Sequence, residues 1–321
     1  MNNFWDKFEL LNTDLIEVVR IMKINVRNNN KLIENALLDL IDSGGKLLRP
    51  GFVLLSGSFG NYDSKKLCNL AAVIEMLHMA TLVHDDIIDD AKTRRNNETI
   101  QSKYGKDYAV FMGDILFSRC FMMLSDNTSM DNMKLLSNAI FDICTGEIEQ
   151  FSSRYSKELS VKKYLKRIAA KTAALFSMSF YVGSFEGNCS GELVKTLSDI
   201  GYDIGMAFQI IDDILDYTSE DNQLGKPTGN DLKEGIYTLP LIYALKKDKE
   251  ALLPLILKDN YTDEDIDSLI RLSIDLGGVD KAKSLAKRYT DRAFKKISTL
   301  PECDSKNFLT SFCEDLLFRK Y

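Results

Sequence analysis

Residues 70–88 are apolar almost all the way round a helix, and the run stops in the six residues DDIIDD, four of them acidic. A helix without a polar face has to be covered on every side, so it belongs at the centre of its domain. Its acidic end is electrostatically the wrong one, because the last carbonyls of a helix already carry partial negative charge. A second apolar stretch, residues 204–215, leads into Asp212, Asp213 and Asp216. Two central helices that both end in clustered carboxylates call for a compensating cation.

Elsewhere apolar residues recur at helical spacing, as in Leu15, Val19, Met22 and Val26, or Ala36, Leu37, Leu40 and Ile41. Strand-like alternation is scarce, so the fold class is all-α, with roughly ten or more helices. Breaks are expected near residues 42–50, 60–63, 96–99, 187–191, 220–235, 258–262 and 299–304. Only five prolines occur in 321 residues and no Ser/Gly/Pro-rich tract divides them, so residues 1–321 are expected to form a single domain.

A formal charge of −6 argues against nucleic acid as the partner, since binding a polyphosphate backbone requires a clustered positive surface. The six cysteines contain no CxxC pair, which suggests neither a zinc site nor a disulfide framework. They are expected to be buried small apolar residues in a reducing compartment. The first residues show no basic segment followed by an apolar run, and no stretch reads as long enough to span a bilayer. The expected location is the cytoplasm, without stable membrane insertion.

On a helix, residues four apart share a face, which pairs Asp85 with Asp89, Asp86 with Asp90, and Asp212 with Asp216. Like charges at that spacing repel. Magnesium reverses the sign, binding through a few carboxylates together with substrate phosphate oxygens. Cations stand where phosphate would be cradled: GGKLLRP supplies Gly44, Gly45, Lys46 and Arg49, and Arg94 and Arg95 follow the first acidic cluster.

The ordered set GGKLLRP, LVHDDIIDDAKTRR, GDILFSR, AAKTAALF, FQIIDDILDYT and GKPTGNDL resembles the motifs of trans-isoprenyl (polyprenyl) diphosphate synthases, near the medium- and long-chain members such as the large component of heptaprenyl diphosphate synthase. The resemblance implies a single helical bundle with a central cavity, the isoprenoid synthase fold, working as a homodimer or as a heterodimer with a small subunit. It implies that Asp85, Asp86, Asp89, Asp212, Asp213 and Asp216 hold about three magnesium ions on an allylic diphosphate. Arg94, Lys171, Thr172, Gln209 and Lys226 would contact that diphosphate. Lys46, Arg49, His78 and Arg95 would bind isopentenyl diphosphate. Asp85, Asp86, Asp89, Asp212, Lys171 and Lys226 would then carry the ionisation step. Gly113, Asp114 and Phe208 match positions of structural role.

Product length is expected to be set below the first acidic cluster. Ala80 and Thr81 lie roughly 6–7.5 Å beneath Asp85 along the helix and Leu77 about 12 Å beneath. The small residues at 80 and 81 would let a chain grow past farnesyl to roughly six to eight units. One departure stands out: Ile236 occupies a place where many relatives have lysine, a feature reminiscent of heterodimeric synthases.

Competing readings are weaker. Glu75 and His78 have the Glu-x-x-His spacing of di-iron bundles, but His84, the only other histidine, is preceded at the matching position by Thr81. His84-Asp85 suggests a histidine-aspartate phosphohydrolase, which needs further upstream histidines. A terpene cyclase would need neither GGKLLRP nor the arginine pair.

Overall fold

The computed structural model of the protein describes residue 5 and residues 9–94, 97–128, 130–156, 158–218, 228–258 and 260–317. In chain order the elements are α1 (Glu9–Asn25), α2 (Lys31–Asp42), α3 (Leu48–Gly57), α4 (Ser64–Ile88), a hairpin of β1 (Thr93–Arg94) and β2 (Asn97–Glu98), α5 (Ile100–Tyr104) and α6 (Lys106–Asn127). Then follow α7 (Met130–Ser152), α8 (Val161–Ile168), a π-turn (Ala169–Ala173), α9 (Ala174–Glu186) and α10 (Gly191–Thr218). The remainder is α11 (Asn230–Lys233), α12 (Leu239–Lys247), α13 (Lys249–Ile256), α14 (Asp263–Asp275), α15 (Gly278–Ile297) and α16 (Asp304–Leu317). The all-α expectation holds. Among the described residues the only strands are the two in the hairpin, which pair Thr93 with Glu98 and Arg94 with Asn97.

Helix starts follow local chemistry. The side chains of Asn30, Asp63, Thr99 and Asp248 each accept a backbone N–H from the first turn they precede. Thr262 and Asp265 form a reciprocal capping box at the start of α14.

Residues 1–137, 178–198 and 301–308 make one compact unit, and residues 138–177, 199–300 and 309–321 make another. In the first unit α4 is the core helix, as its all-round apolarity requires: Leu70, Ala71, Ala72, Val73, Ile74, Met76 and Leu77 are all at most 3% exposed. It packs on α1, α3 and α6, and the Cys120 thiol of α6 donates to the Val73 carbonyl. Phe52 stacks on Phe180, centroids 4.8 Å apart. Next to this pair the helices touch through glycines, and a Cβ on Gly183 would overlap the Val53 carbonyl and the Ser56 hydroxyl.

In the second unit the buried Asp203 of α10 accepts a hydrogen bond from Lys296 at 2.7 Å and forms an ion pair with Arg292 at 3.0 Å, both from α15. A Cβ on Gly205 would run into Ala173, so this glycine lets α10 approach the π-turn closely.

Two sequence expectations need correction. Ser64–Ile88 and Lys106–Asp126 are long and apolar enough to cross a membrane by length and composition. The apolar window of the first is 72% buried within the protein, which makes it a core helix. The second is 39% buried and carries exposed Phe111, Phe121 and Met122. The cysteines are not uniformly buried either: Cys68, Cys120 and Cys313 are, Cys189 and Cys303 are partly covered, and Cys144 is exposed.

Replacing Gly183 with alanine puts a methyl group where there is only backbone and a short buried side chain. Urea denaturation of Gly183→Ala is expected to show a loss of about 2–3 kcal/mol, whereas Gly191→Ala, with open space at its Cβ, should show no overpacking loss.

Candidate active site

The end of α4 sorts its four acids by backbone geometry. The Ala91 N–H reaches the Asp86 carbonyl at 2.9 Å and the Asp90 N–H the Ile87 carbonyl at 3.4 Å, with Asp90 left-handed at φ 49°. This is a Schellman stop capped at Asp89, and the last helical residue is Ile88, two before Asp90. The expected Asp86/Asp90 pairing on one face is therefore lost. Asp90 turns to Lys106 at 2.9 Å and Lys92 at 3.2 Å, and hydrogen bonds from the two hold its carboxyl below the usual range. Asp85 and Asp89 stay half-buried, and Asp86 is buried.

The Arg94 guanidinium donates Nε to one oxygen of Asp86 at 2.8 Å, and its Nη2 lies 2.7 Å from the same oxygen. Both residues line a cavity of about 470 Å³ whose wall includes Gly44, Gly45 and Leu47. The turn of GGKLLRP is tightly wound: Gly44 has φ 69°, and Leu47 has φ 48° and ψ 40°. For leucine that conformation costs about 1–2 kcal/mol. Lys46 and Arg49 are half-buried on either side of it. His78 is half-buried on α4, and its carbonyl accepts the Thr81 hydroxyl at 2.8 Å. Leu77 and Ala80 are 3% and 0% exposed. His84 lies over Gly113, which has no side chain to displace it, and its Nε2 is 3.2 Å from the Val110 carbonyl, giving Gly113 a structural reason.

In the second unit Lys171 and Thr172 sit in the π-turn, a kind of helix defect that recurs at functional sites. Thr172 donates to Gln209 Oε1 at 2.6 Å, and Gln209 Nε2 donates to Asp213 Oδ1 at 2.8 Å. The other oxygen of Asp213 accepts the Tyr164 hydroxyl at 2.7 Å. Lys171 is paired with Glu147 at 2.8 Å. Asp216 accepts the backbone N–H groups of Asn230 at 3.2 Å and Asp231 at 3.4 Å, so it ties down the start of α11. Asp212 is exposed. Ile236 is buried and donates its N–H to the Asp231 carbonyl at 2.7 Å. Phe208 meets Phe176 at 5.3 Å. Arg95 and Lys226 lie outside the described residues.

Sequence reasoning did not pick out Tyr164, Glu147 or Asp231. Tyr164 had a signal: it lies seven residues, about two turns, before Lys171. Glu147 is an acid in otherwise ordinary polar surroundings and Asp231 sits within GKPTGNDL, and only the fold shows what they face.

Among the described residues, no three His, Cys, Asp or Glu side chains are gathered tightly enough to hold a metal by themselves. The donor set is nonetheless all oxygen, from carboxylates that are exposed or half-buried at Asp85, Asp89 and Asp212. That fits a hard divalent cation, which takes few protein ligands and completes its shell with water and substrate phosphate.

The profile of the polyprenyl synthetase family matches residues 30–273. The chain belongs to the polyprenyl synthetase family. It is 37% identical over 314 residues to heptaprenyl diphosphate synthase component 2 of Bacillus subtilis, covering 98% of this chain and 90% of that one. The crystal structure of heptaprenyl diphosphate synthase from Staphylococcus aureus superposes with a TM-score of 0.92 at 34% identity, covering 96% of this chain and 98% of that one. That of geranylgeranyl pyrophosphate synthase from Lactobacillus brevis gives 0.92 at 36% identity, covering 98% and 99%.

In this polyprenyl synthetase, burial pushes the Asp213 carboxyl up to about 6, against the opposing hydrogen bonds from Tyr164 and Gln209. Burial also raises Asp216 and Asp231. A carboxyl whose folded-state pKa exceeds its unfolded value binds more protons folded than unfolded between the two values. Stability therefore falls as pH rises through that window and stays at the lower level above it. Metal-free protein is expected to lose roughly 2–3 kcal/mol through Asp213 as pH rises from about 4 to about 6. Denaturant titrations across that range check this, with Asp213→Asn flattening the fall.

Proposed function

We propose that the protein is a magnesium-dependent trans-prenyltransferase that condenses isopentenyl diphosphate with an allylic diphosphate, farnesyl or geranylgeranyl, to give a longer all-trans polyprenyl diphosphate of the kind used for quinone side chains. The observation that carries this is the cavity of the first unit. It brings the glycine turn of GGKLLRP together with Asp86 and Arg94, so an anion-cradling backbone and a metal-suited helix end share one space.

Asp85, Asp86, Asp89, Asp212, Asp213 and Asp216 are the candidate ligands for about three magnesium ions. When bound, the ions would supply positive charge to the departing diphosphate. The protein's own part is binding and orientation. Arg94, Lys171, Thr172, Gln209 and Lys226 take the allylic diphosphate, and its carbon–oxygen bond breaks to a delocalised allylic cation. The double bond of isopentenyl diphosphate, held by Lys46, Arg49, His78 and Arg95, attacks that cation. The released diphosphate takes up the proton, so no enzyme base is required. Tyr164 acts through Asp213, and Lys171 must exchange Glu147 for phosphate.

The small side chains at Ala80 and Thr81, with Leu77 beyond them, support a product longer than farnesyl. The names of the relatives span heptaprenyl and geranylgeranyl synthases, so a geranylgeranyl product is the shorter alternative. A second reading is a subunit that is inactive without its partner. Ile236 favours it, as does the Bacillus relative's being a component 2. Either way we propose a dimer. The support is the stripe of Tyr108, Val110, Phe111, Phe121 and Met122 on α6, each at least 41% exposed, since apolar surface of this extent normally has a partner. A single domain in the cytoplasm, with no nucleic-acid partner and no stable membrane insertion, completes the proposal.

Asp85→Ala and Asp212→Ala are each expected to lower turnover about 10³-fold, or roughly 4 kcal/mol of transition-state stabilisation. Labelled isopentenyl diphosphate incorporation measures this, with near wild-type rates in either variant counting against the assignment.

A further inference from the structure

Trp5 is the only tryptophan in the chain, and it is 3% exposed. Its ring stacks on Phe308 with centroids 5.2 Å apart and planes inclined by 15°, and it meets Phe52 edge-on at 6.3 Å. It also covers Gly51 so closely that a Cβ there would overlap the ring. Phenylalanine could supply much of that packing. What tryptophan adds is a donor: the indole N–H reaches the Lys46 carbonyl at 2.6 Å.

That carbonyl belongs to the peptide joining Lys46 to Leu47, and Leu47 is the left-handed residue of the anion-cradling turn, with no side-chain cap at the start of α3. A leucine in this conformation is uphill, and it persists only where its surroundings over-determine it. Releasing Leu47 would rotate the Lys46–Leu47 peptide and break the bond to the indole. Lys46 and Arg49, which flank Leu47, would then be carried on a backbone that is no longer fixed.

We propose that Trp5 is a positioning residue for the substrate turn: its indole N–H pins the Lys46–Leu47 peptide, holding Leu47 left-handed and keeping Lys46 and Arg49 directed at the diphosphate of isopentenyl diphosphate. This rests on the assignment of Lys46 and Arg49 made above. It makes Trp5 specific to one of two chemically similar substrates, because the allylic diphosphate is assigned to other residues.

Calorimetric titration of the full chain tests it, with isopentenyl diphosphate, which does not react alone, and separately with farnesyl diphosphate and magnesium. Trp5→Phe keeps an aromatic ring and loses the donor. It is expected to bind isopentenyl diphosphate about fivefold more weakly, the loss of one net hydrogen bond, with farnesyl diphosphate unchanged within about twofold. Benzothienylalanine in place of the single tryptophan keeps the bicyclic shape without the N–H, so the result does not depend on how Trp5→Phe packs or folds. Adding Leu47→Gly to Trp5→Phe removes the left-handed cost and should restore affinity to within about twofold of wild type.

Unchanged isopentenyl diphosphate affinity without the N–H, equal weakening for both diphosphates, or no recovery in the double variant would overturn the proposal. Lys46→Ala in the same titration separates the two levels. If it binds like wild type, the substrate assignment fails. If it weakens binding while loss of the N–H does not, only the role of Trp5 fails.

Discussion

Burying α4 on every side is the constraint from which the candidate chemistry follows. A helix with no polar face can only be the centre of its unit, and ending that helix in carboxylates places negative charge at the rim of the core, where the helix dipole opposes it. The structure answers with local cations and donors. Arg94 takes Asp86, and Lys92 and Lys106 take Asp90. Asp85 and Asp89 stay half-buried at the same end of the helix.

The second acidic set meets the same difficulty differently. Arg167 acts on Asp213 through its field alone, and among the described residues no cation is hydrogen-bonded to this carboxylate. Its oxygens accept neutral donors from Tyr164 and Gln209, and burial still leaves the carboxyl hard to ionise. Asp216 relies on backbone N–H groups of the turn that starts α11. Holding charge with neutral dipoles leaves it largely uncompensated, which suits a residue meant to meet a cation and costs the metal-free protein stability. The turn before α3 also relies on a neutral donor: the Trp5 indole N–H reaches the Lys46 carbonyl at 2.6 Å, next to the left-handed Leu47.

Much of this was legible in the sequence. Apolarity all round residues 70–88 fixed the core helix, and turn residues marked the breaks at 42–50, 60–63 and 187–191. The glycine pair marked the turn in which Gly44 takes φ 69°, and the order of the motifs led to the family. What sequence periodicity missed depends on single dihedrals and on distant partners. A helix-face pairing assumes that the helix continues, and it stops before Asp90. Tyr164 lies far from Asp213 in sequence and Trp5 far from Lys46, so no local pattern links either pair. The exposed apolar stripe of α6 was not anticipated, because periodicity does not say which apolar face is covered.

The most direct test of the central claim is to incubate the protein alone with magnesium, farnesyl diphosphate and labelled isopentenyl diphosphate, and to resolve the products by length. The account predicts all-trans products longer than farnesyl, ending at roughly six to eight units where Ala80, Thr81 and Leu77 set the limit. Absence of incorporation, both alone and with a small partner subunit supplied, would contradict it.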